Sequence, residues 1–247
     1  MRILKAILGR IMATWAILMF VITLLIFMIP FLLFGYFQPD PKKTSRFISM
    51  ARVWMAVYLT SIGCPLRVRG KEHFKKGENY VVVCNHNSLM DVPISSPSIP
   101  GGNKTIAKSE MAKVPVFGLL YQTGSVLVDR KSEKSRKDSY VKMRNVLENL
   151  KLHMCIYPEG TRNQTDQPLK SFHDGAFRLS IETGKAIIPG IIFNTRKVLP
   201  ASIPFYLMPH RLKIDFLPAI TPLPNETTAE LRDRVHAIME AYYVKNR

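Results

Sequence analysis

The chain is poor in cysteine for its 247 residues. It has three, Cys64, Cys84 and Cys155, and no pair of them stands in a C-x-x-C spacing. An odd number without metal-ligand spacing argues against a disulfide framework and against a zinc site. Reduced thiols in a cytosol-facing domain are the simplest interpretation. We expect neither a metal nor a cofactor.

Acidic residues are also scarce. The chain has 18 Asp and Glu against 35 Lys and Arg, which gives a formal net charge of +17. Such a surplus fits a nucleic acid, an anionic membrane surface, or a basic surface that only maintains solubility. Charge alone leaves the three open.

Charged residues are missing altogether from positions 11–39. The run exceeds the ~20 apolar residues of a spanning helix and the ~7–15 of a secretory signal core, so we expect it to stay in the mature protein. Basic residues flank both ends and predict no orientation. Pro30 and the turn at 38–41 allow a hairpin with the amphipathic stretch 47–64. A single span and a one-leaflet hairpin both remain open; either favours a membrane partner over nucleic acid.

Beyond this segment, residues 65–247 alternate short apolar runs with helical patterns. The alternation predicts an α/β sheet flanked by helices, preceded by a membrane-embedded helical segment at residues 1–64. Predicted strands cover 80–84, 104–107, 125–129, 154–157, 186–193 and 212–217. Predicted helices cover 132–152, 175–182 (closed by Gly184) and 227 to about 243, the last with a capping box.

A histidine and an aspartate follow the first predicted strand in the sequence NHNSLMD, residues 85–91. Ligand sites of α/β sheets gather at the carboxyl ends of strands, where this segment lies. A histidine there can act as a general base when a carboxylate fixes its tautomer. Asp91 is close enough to His86 to reach back across one tight turn. Taken alone, the pair also fits a structural helix cap.

A second loop, YPEGTR at residues 157–162, follows another predicted strand. Gly160 lets a ligand approach the backbone, and the Arg162 guanidinium suits a phosphate. Glu159 is expected to bind a substrate hydroxyl or to hold Arg162. An ordinary strand-to-helix turn with a surface ion pair is the alternative.

Two weaker motifs complete the set. GSVLVDR at residues 124–130 ends a strand with an Asp-Arg pair, which makes Arg130 a second candidate phosphate ligand. IIPG at residues 187–190 places Pro189 in a buried run, where Pro-Gly also marks bulges and strand ends.

Together and in this order, the four motifs resemble those of the glycerophospholipid acyltransferase family, and within it the 1-acylglycerol-3-phosphate acyltransferases. AKSE at 107–110 and VPVFG at 114–118 are similar to further family segments. The resemblance covers roughly residues 65–220. Tyr157 replaces the usual Phe, and His173 stands where a Lys associated with anionic substrates is usual.

The resemblance implies an enzyme of phospholipid biosynthesis. It would transfer a fatty acyl group from acyl-CoA or acyl-ACP to the sn-2 hydroxyl of lysophosphatidic acid, forming phosphatidic acid without an acyl-enzyme. His86 would be the base and Asp91 its support. The acceptor phosphate would contact Arg130, Arg162 and Lys108. Glu159, Gly160 and Thr161 would shape the pocket, with Pro189 on the acyl-donor side. The enzyme would sit on the membrane with its catalytic domain facing the cytoplasm.

Three alternatives remain. The departure at His173 keeps open an O-acyltransferase acting on a lyso-aminolipid of the ornithine- or glycine-lipid type. A hydrolase would use the His-Asp pair to activate water and release fatty acid without an acceptor. A non-catalytic basic membrane or nucleic-acid-binding protein would be insensitive to His86→Ala.

Overall fold

The computed structural model describes residues 2–114, 117–129 and 131–247. Its main helices are α1 (Arg2–Phe31), α2 (Lys42–Ser61), α3 (Asp91–Ser98), α4 (Phe117–Thr123), α5 (Glu133–Glu148), α6 (Gly175–Thr183), α7 (Thr195–Val198) and α8 (Thr228–Asn246). Its strands are β1 (Leu66–Arg69), β2 (Val81–Cys84), β3 (Asn103–Lys108), β4 (Ser125–Val128), β5 (His153–Ile156), β6 (Ile187–Phe193) and β7 (Leu212–Phe216).

The seven strands form one sheet in the order β1-β7-β6-β2-β5-β3-β4. All neighbouring pairs are parallel except β6 and β7. The carboxyl ends of β2, β3, β4 and β5 therefore meet at one edge. NHNSLMD follows β2, YPEGTR follows β5 and the Asp129 of GSVLVDR follows β4, so the topology gathers these three motifs on that edge, whereas IIPG lies inside β6.

Helices cover both faces of the sheet, which explains why its central strands are apolar throughout. On β2, Val82 and Cys84 belong to the core shared with α1, α2 and α3. Val81 and Val83 belong to the opposite core, shared with α5, α6 and α8. The predicted α/β sheet flanked by helices is confirmed.

Most predicted elements are found within a few residues of their expected bounds. The capping box of α8 is formed by Thr227 and Glu230, and Gly184 ends α6 with a φ of +62°. The predicted helix at 132–152 ends earlier, at Glu148. Four of these elements were not predicted: β1, which alternates apolar and basic residues, and the short helices α3, α4 and α7.

The first two helices form an antiparallel hairpin. The indole nitrogen of Trp15 donates to the Ser61 carbonyl over 3.0 Å, and that of Trp54 donates to the Thr23 hydroxyl over 2.9 Å. The segment Ile3–Tyr36 is long and apolar enough to cross a membrane. Its outward face exposes a continuous set of large apolar side chains, including Ile7, Ile11, Leu18, Val21, Leu25, Ile29 and Leu33. Such a surface is typical of contact with lipid or with another protein.

A buried histidine makes the fold sensitive to acid. The ring of His153 stacks on Tyr80, and its Nδ1 accepts a hydrogen bond from the Tyr80 backbone N–H. Burial lowers the pKa of His153 from 6.5 to about 4, against a smaller opposing effect of the Pro100 carbonyl. The unfolded chain therefore binds one proton more than the native chain between these pH values.

We expect the stabilisation from neutral His153 to be complete above pH 6.5 and to be lost as the pH falls toward 4. One proton over this window corresponds to about 3 kcal/mol of unfolding free energy. Chemical unfolding in detergent at a series of pH values measures it. His153→Gln keeps an acceptor for Tyr80 and should remove this part of the slope; an unchanged slope would contradict the assignment.

Candidate active site

The first motif places a histidine and a carboxylate in direct contact. His86 follows β2, Asp91 is the first residue of α3, and His86 Nδ1 lies 2.8 Å from Asp91 Oδ2. The same oxygen accepts the backbone N–H groups of Asn87 (2.5 Å) and Ser88 (2.7 Å). Because Asp91 is a fully buried acceptor, Nδ1 donates the proton and Nε2 keeps its lone pair. That is the tautomer a general base requires.

The face of the imidazole is supported by an aromatic ring. The ring of Tyr157 lies 4.6 Å from that of His86, centroid to centroid. Its hydroxyl makes a 2.6 Å hydrogen bond with Ser95 of α3, the helix that carries Asp91. Burial raises the pKa of Tyr157, so the phenol stays protonated. The departure from Phe to Tyr thus adds a hydrogen bond between the YPEGTR loop and α3.

The second motif holds the backbone of the histidine. Glu159 Oε1 accepts the His86 N–H over 2.7 Å, and the N–H of Asn163 donates to the His86 carbonyl over 2.6 Å. The other Glu159 oxygen accepts the N–H of Lys170 over 3.1 Å. Burial raises the pKa of Glu159, while the two backbone donors favour its ionised form. One carboxylate thus holds both the backbone of His86 and the far end of the loop at Lys170.

A cavity of about 910 Å³ opens beside His86. Its apolar lining includes Phe20, Phe47, Trp54 and Met55 of the helical hairpin and Phe117 and Leu120 of α4. The lining also contains three cationic side chains, Lys108, Arg162 and Lys170, and the side chain of Thr161. These three cations make no ion pair within residues 2–114, 117–129 and 131–247. The cavity therefore offers both positive charge and apolar surface, and His86 belongs to its lining.

The family model described as Acyltransferase matches residues 65–193, more than half of the chain. The chain belongs to the acyltransferase family. The match covers the strands and loops that build the His86 site, and its description agrees with the resemblance carried by the motifs.

Curated relatives share the name 1-acyl-sn-glycerol-3-phosphate acyltransferase. The protein of Cocos nucifera is 30% identical over 135 residues, 54% of this chain and 43% of its own. That of Borreliella burgdorferi is 27% identical over 193 residues, 75% of this chain and 76% of its own. The chain thus spans less than half of the coconut protein and about three quarters of the bacterial one.

A solved structure has the same fold. It is the 1-acyl-sn-glycerophosphate (LPA) acyltransferase of Thermotoga maritima, with a TM-score of 0.82 at 20% identity over 98% of both chains. This likeness extends over nearly all of the chain, including the hairpin that precedes the family match.

In this acyltransferase, some of the predicted site residues line the cavity and others do not. His86, Lys108, Thr161 and Arg162 line the cavity. Glu159 and Gly160 do not: the Glu159 carboxylate binds backbone N–H groups rather than Arg162. Gly160 has a φ of +70°, and a Cβ there would lie 2.7 Å from the His173 ring. The loop conformation therefore requires a glycine irrespective of any ligand.

Two predicted residues lie elsewhere. Pro189 is buried inside β6, opposite Val83, and does not line the cavity, so its placement gives no support for a contact with the acyl donor. It is neither a bulge nor a strand end. Arg130 lies outside the described residues, and its expected contact with a phosphate stays a prediction.

Sequence reasoning missed Lys170, Asn163 and the backbone role of Glu159. Lys170 reaches the cavity although it is eight residues beyond Arg162, because the loop between them folds back. Asn163 holds that loop by accepting the Thr165 N–H and donating to the Gln167 carbonyl. An Asx turn at Asn163 was the available signal in the sequence.

We expect Glu159→Gln to lower both activity and stability. A glutamine side chain presents one acceptor and one NH₂ group, so one of the two backbone N–H groups loses its partner at a cost of about 1–3 kcal/mol. The maximal rate should fall because His86 shifts, while the Michaelis constants stay near those of the wild type. Thermal unfolding and initial rates measure the two effects.

Glu72→Gln, at an exposed position, is the matched control for this substitution. A Glu159→Gln protein of unchanged stability with a raised Michaelis constant for the acceptor would instead show that Glu159 binds substrate.

Proposed function

We propose that this acyltransferase transfers a fatty acyl group from acyl-CoA or acyl-ACP to the sn-2 hydroxyl of lysophosphatidic acid, forming phosphatidic acid in phospholipid biosynthesis. One observation carries the proposal: His86, bonded to Asp91, lines a cavity whose other lining side chains are partly cationic and partly apolar. A lysophospholipid phosphate suits the first and fatty acyl chains suit the second. The names of the relatives agree with this assignment.

In the proposed reaction, His86 Nε2 takes the proton from the acceptor hydroxyl as its oxygen attacks the thioester carbonyl. The C–S bond then breaks, and the imidazolium returns the proton to the leaving thiolate. Asp91 stabilises the imidazolium between these steps. The new ester and a free thiol are the products. Neither step needs an acyl-enzyme, and Cys84 and Cys155 are buried within the sheet.

In this proposal, the phosphate of the acceptor binds to Lys108 and Arg162, and Arg130 is a further predicted ligand. Arg162 has five N–H donors in a planar fork, which matches two phosphate oxygens at once. Its lack of an ion pair with the described residues leaves this fork available. A lyso-aminolipid of the ornithine or glycine type offers these cations a single carboxylate, whereas a phosphate monoester offers about two negative charges on three oxygens, which favours the phosphate acceptor.

We further propose that the α1–α2 hairpin enters one leaflet of an anionic membrane, with the catalytic domain on the cytoplasmic side. The hairpin packs along the domain and turns its exposed apolar face outward. Leu4→Cys and Phe37→Cys in sealed vesicles test this with a membrane-impermeant thiol reagent, because the native cysteines are buried. Labelling of both from the same side is expected; labelling from opposite sides would show a spanning helix.

A matrix of donors and acceptors tests the reaction. Purified protein in detergent is supplied with labelled acyl-CoA or acyl-ACP, and with lysophosphatidate, a lyso-ornithine lipid or no acceptor. We expect phosphatidate to be the main labelled product with at least one donor. Acylated ornithine lipid as the main product would establish the alternative acceptor, and acceptor-independent fatty acid would indicate a hydrolase.

A further inference from the structure

We propose that Lys170 is a specificity-determining ligand of the acceptor phosphate, acting beside Arg162 and Lys108. The inference rests on the proposed function and extends it to a residue that lies outside the four motifs. Lys170 gives the cavity a third cation. His173, which stands where a Lys is usual, is exposed and does not line the cavity.

The position of Lys170 is set by the same carboxylate that sets the base. Glu159 accepts the His86 N–H with one oxygen and the Lys170 N–H with the other. One carboxylate therefore ties the backbone of Lys170 to the backbone of His86.

The Lys170 side chain lines the cavity beside Thr161. Its Nζ donates to the Thr161 hydroxyl over 2.7 Å, and both groups line the cavity together with Arg162. An ammonium has three donors, so two remain for a ligand; the Thr161 hydroxyl, which accepts from Lys170, keeps its own proton to donate. No carboxylate of the described residues pairs with Lys170. The group is thus a preformed set of donors for an anion with several oxygens.

Thr161 and Lys170 also lie on a loop that is held by hydrogen bonds to other parts of the chain. The Asn163 backbone is bonded to His86, and the Arg196 guanidinium donates to the carbonyls of Asn163 and Thr165. A cation on such a loop loses little freedom on binding a phosphate, which favours recognition over general attraction. The distance from the base is fixed as well, so a phosphate held here positions the acceptor hydroxyl.

Steady-state kinetics of Lys170→Gln, Lys170→Arg and Lys142→Gln test the inference. Lys142 lies exposed on α5, away from the cavity, and is the matched control. We expect Lys170→Gln to raise the Michaelis constant for lysophosphatidate about tenfold, the value of one charge-assisted hydrogen bond. The Michaelis constant for the acyl donor should not change. Lys170→Arg should restore most of the affinity, and thermal unfolding checks that each variant is folded.

Each other result has a distinct meaning. A Lys170→Gln protein with wild-type kinetics would overturn the role of Lys170 and leave the proposed function intact. A raised Michaelis constant for acyl-CoA alone would assign Lys170 to the phosphates of the donor and overturn the headgroup assignment. Wild-type protein that forms no phosphatidate would overturn the function and this inference together.

Discussion

Replacing His86 by Ala is expected to reduce the rate of acyl transfer by about 10²–10⁴-fold, the usual contribution of a general base. The reason is specific to the site. Nδ1 of His86 is hydrogen-bonded to Asp91, so Nε2 carries the lone pair that can accept a proton, and His86 lines the cavity. Substrate affinities should change little, because the proposed ligands of the phosphate are Lys108, Arg162 and Lys170 rather than His86. Initial rates at saturating donor and acceptor measure the loss.

His210→Ala is the matched control, since His210 is exposed and lies outside the cavity lining. A His86→Ala protein that keeps wild-type activity would contradict the role of the histidine.

Replacing Asp91 by Asn is the second large effect that we expect. All three donors around the carboxylate converge on Oδ2, and Oδ1 has no hydrogen-bond partner among the described residues. An asparagine oxygen can therefore take the place of Oδ2 and preserve the position of His86. What the variant loses is the negative charge beside the imidazolium.

The size of that loss follows from Coulomb's law. A unit charge about 4 Å from the imidazolium at an effective dielectric constant of about 20 contributes about 4 kcal/mol, or about 10³-fold in rate. The loss should appear in the maximal rate rather than in the Michaelis constants. Asp91→Ala should also destabilise the protein, because it leaves the N–H groups of Asn87 and Ser88 without an acceptor.

Thermal unfolding separates the two variants. Asp91→Asn should unfold closer to the wild type than Asp91→Ala while both are nearly inactive. An Asp91→Asn protein with more than a third of wild-type activity would show that the carboxylate only orients the ring and that its charge is dispensable.

The features of the fold and of the site that the sequence predicts are local ones. The α8 capping box is encoded within four residues, and a spacing of five brings Asp91 to His86 across one turn. The buried strands are recognised because a sheet covered on both faces has apolar residues at every position, as in Val81–Cys84. These signals need no knowledge of what is distant in the chain.

The parts that sequence does not predict depend on contacts between distant segments. Glu159 was expected to touch substrate or Arg162, but it accepts backbone N–H groups of His86, 73 positions away, and of Lys170. The apolar chamber joins Phe20 and Trp54 of the hairpin to Phe117 and Leu120 of α4. No periodicity in either segment encodes that they share a cavity.

Order-of-addition product analysis tests the central claim, direct transfer by His86, most directly. The protein is mixed with labelled acyl donor alone, sampled, and then given lysophosphatidate. We predict that the label stays on the donor until the acceptor arrives and then appears in phosphatidate. Label on the protein, or labelled fatty acid released before the acceptor is added, would contradict the account.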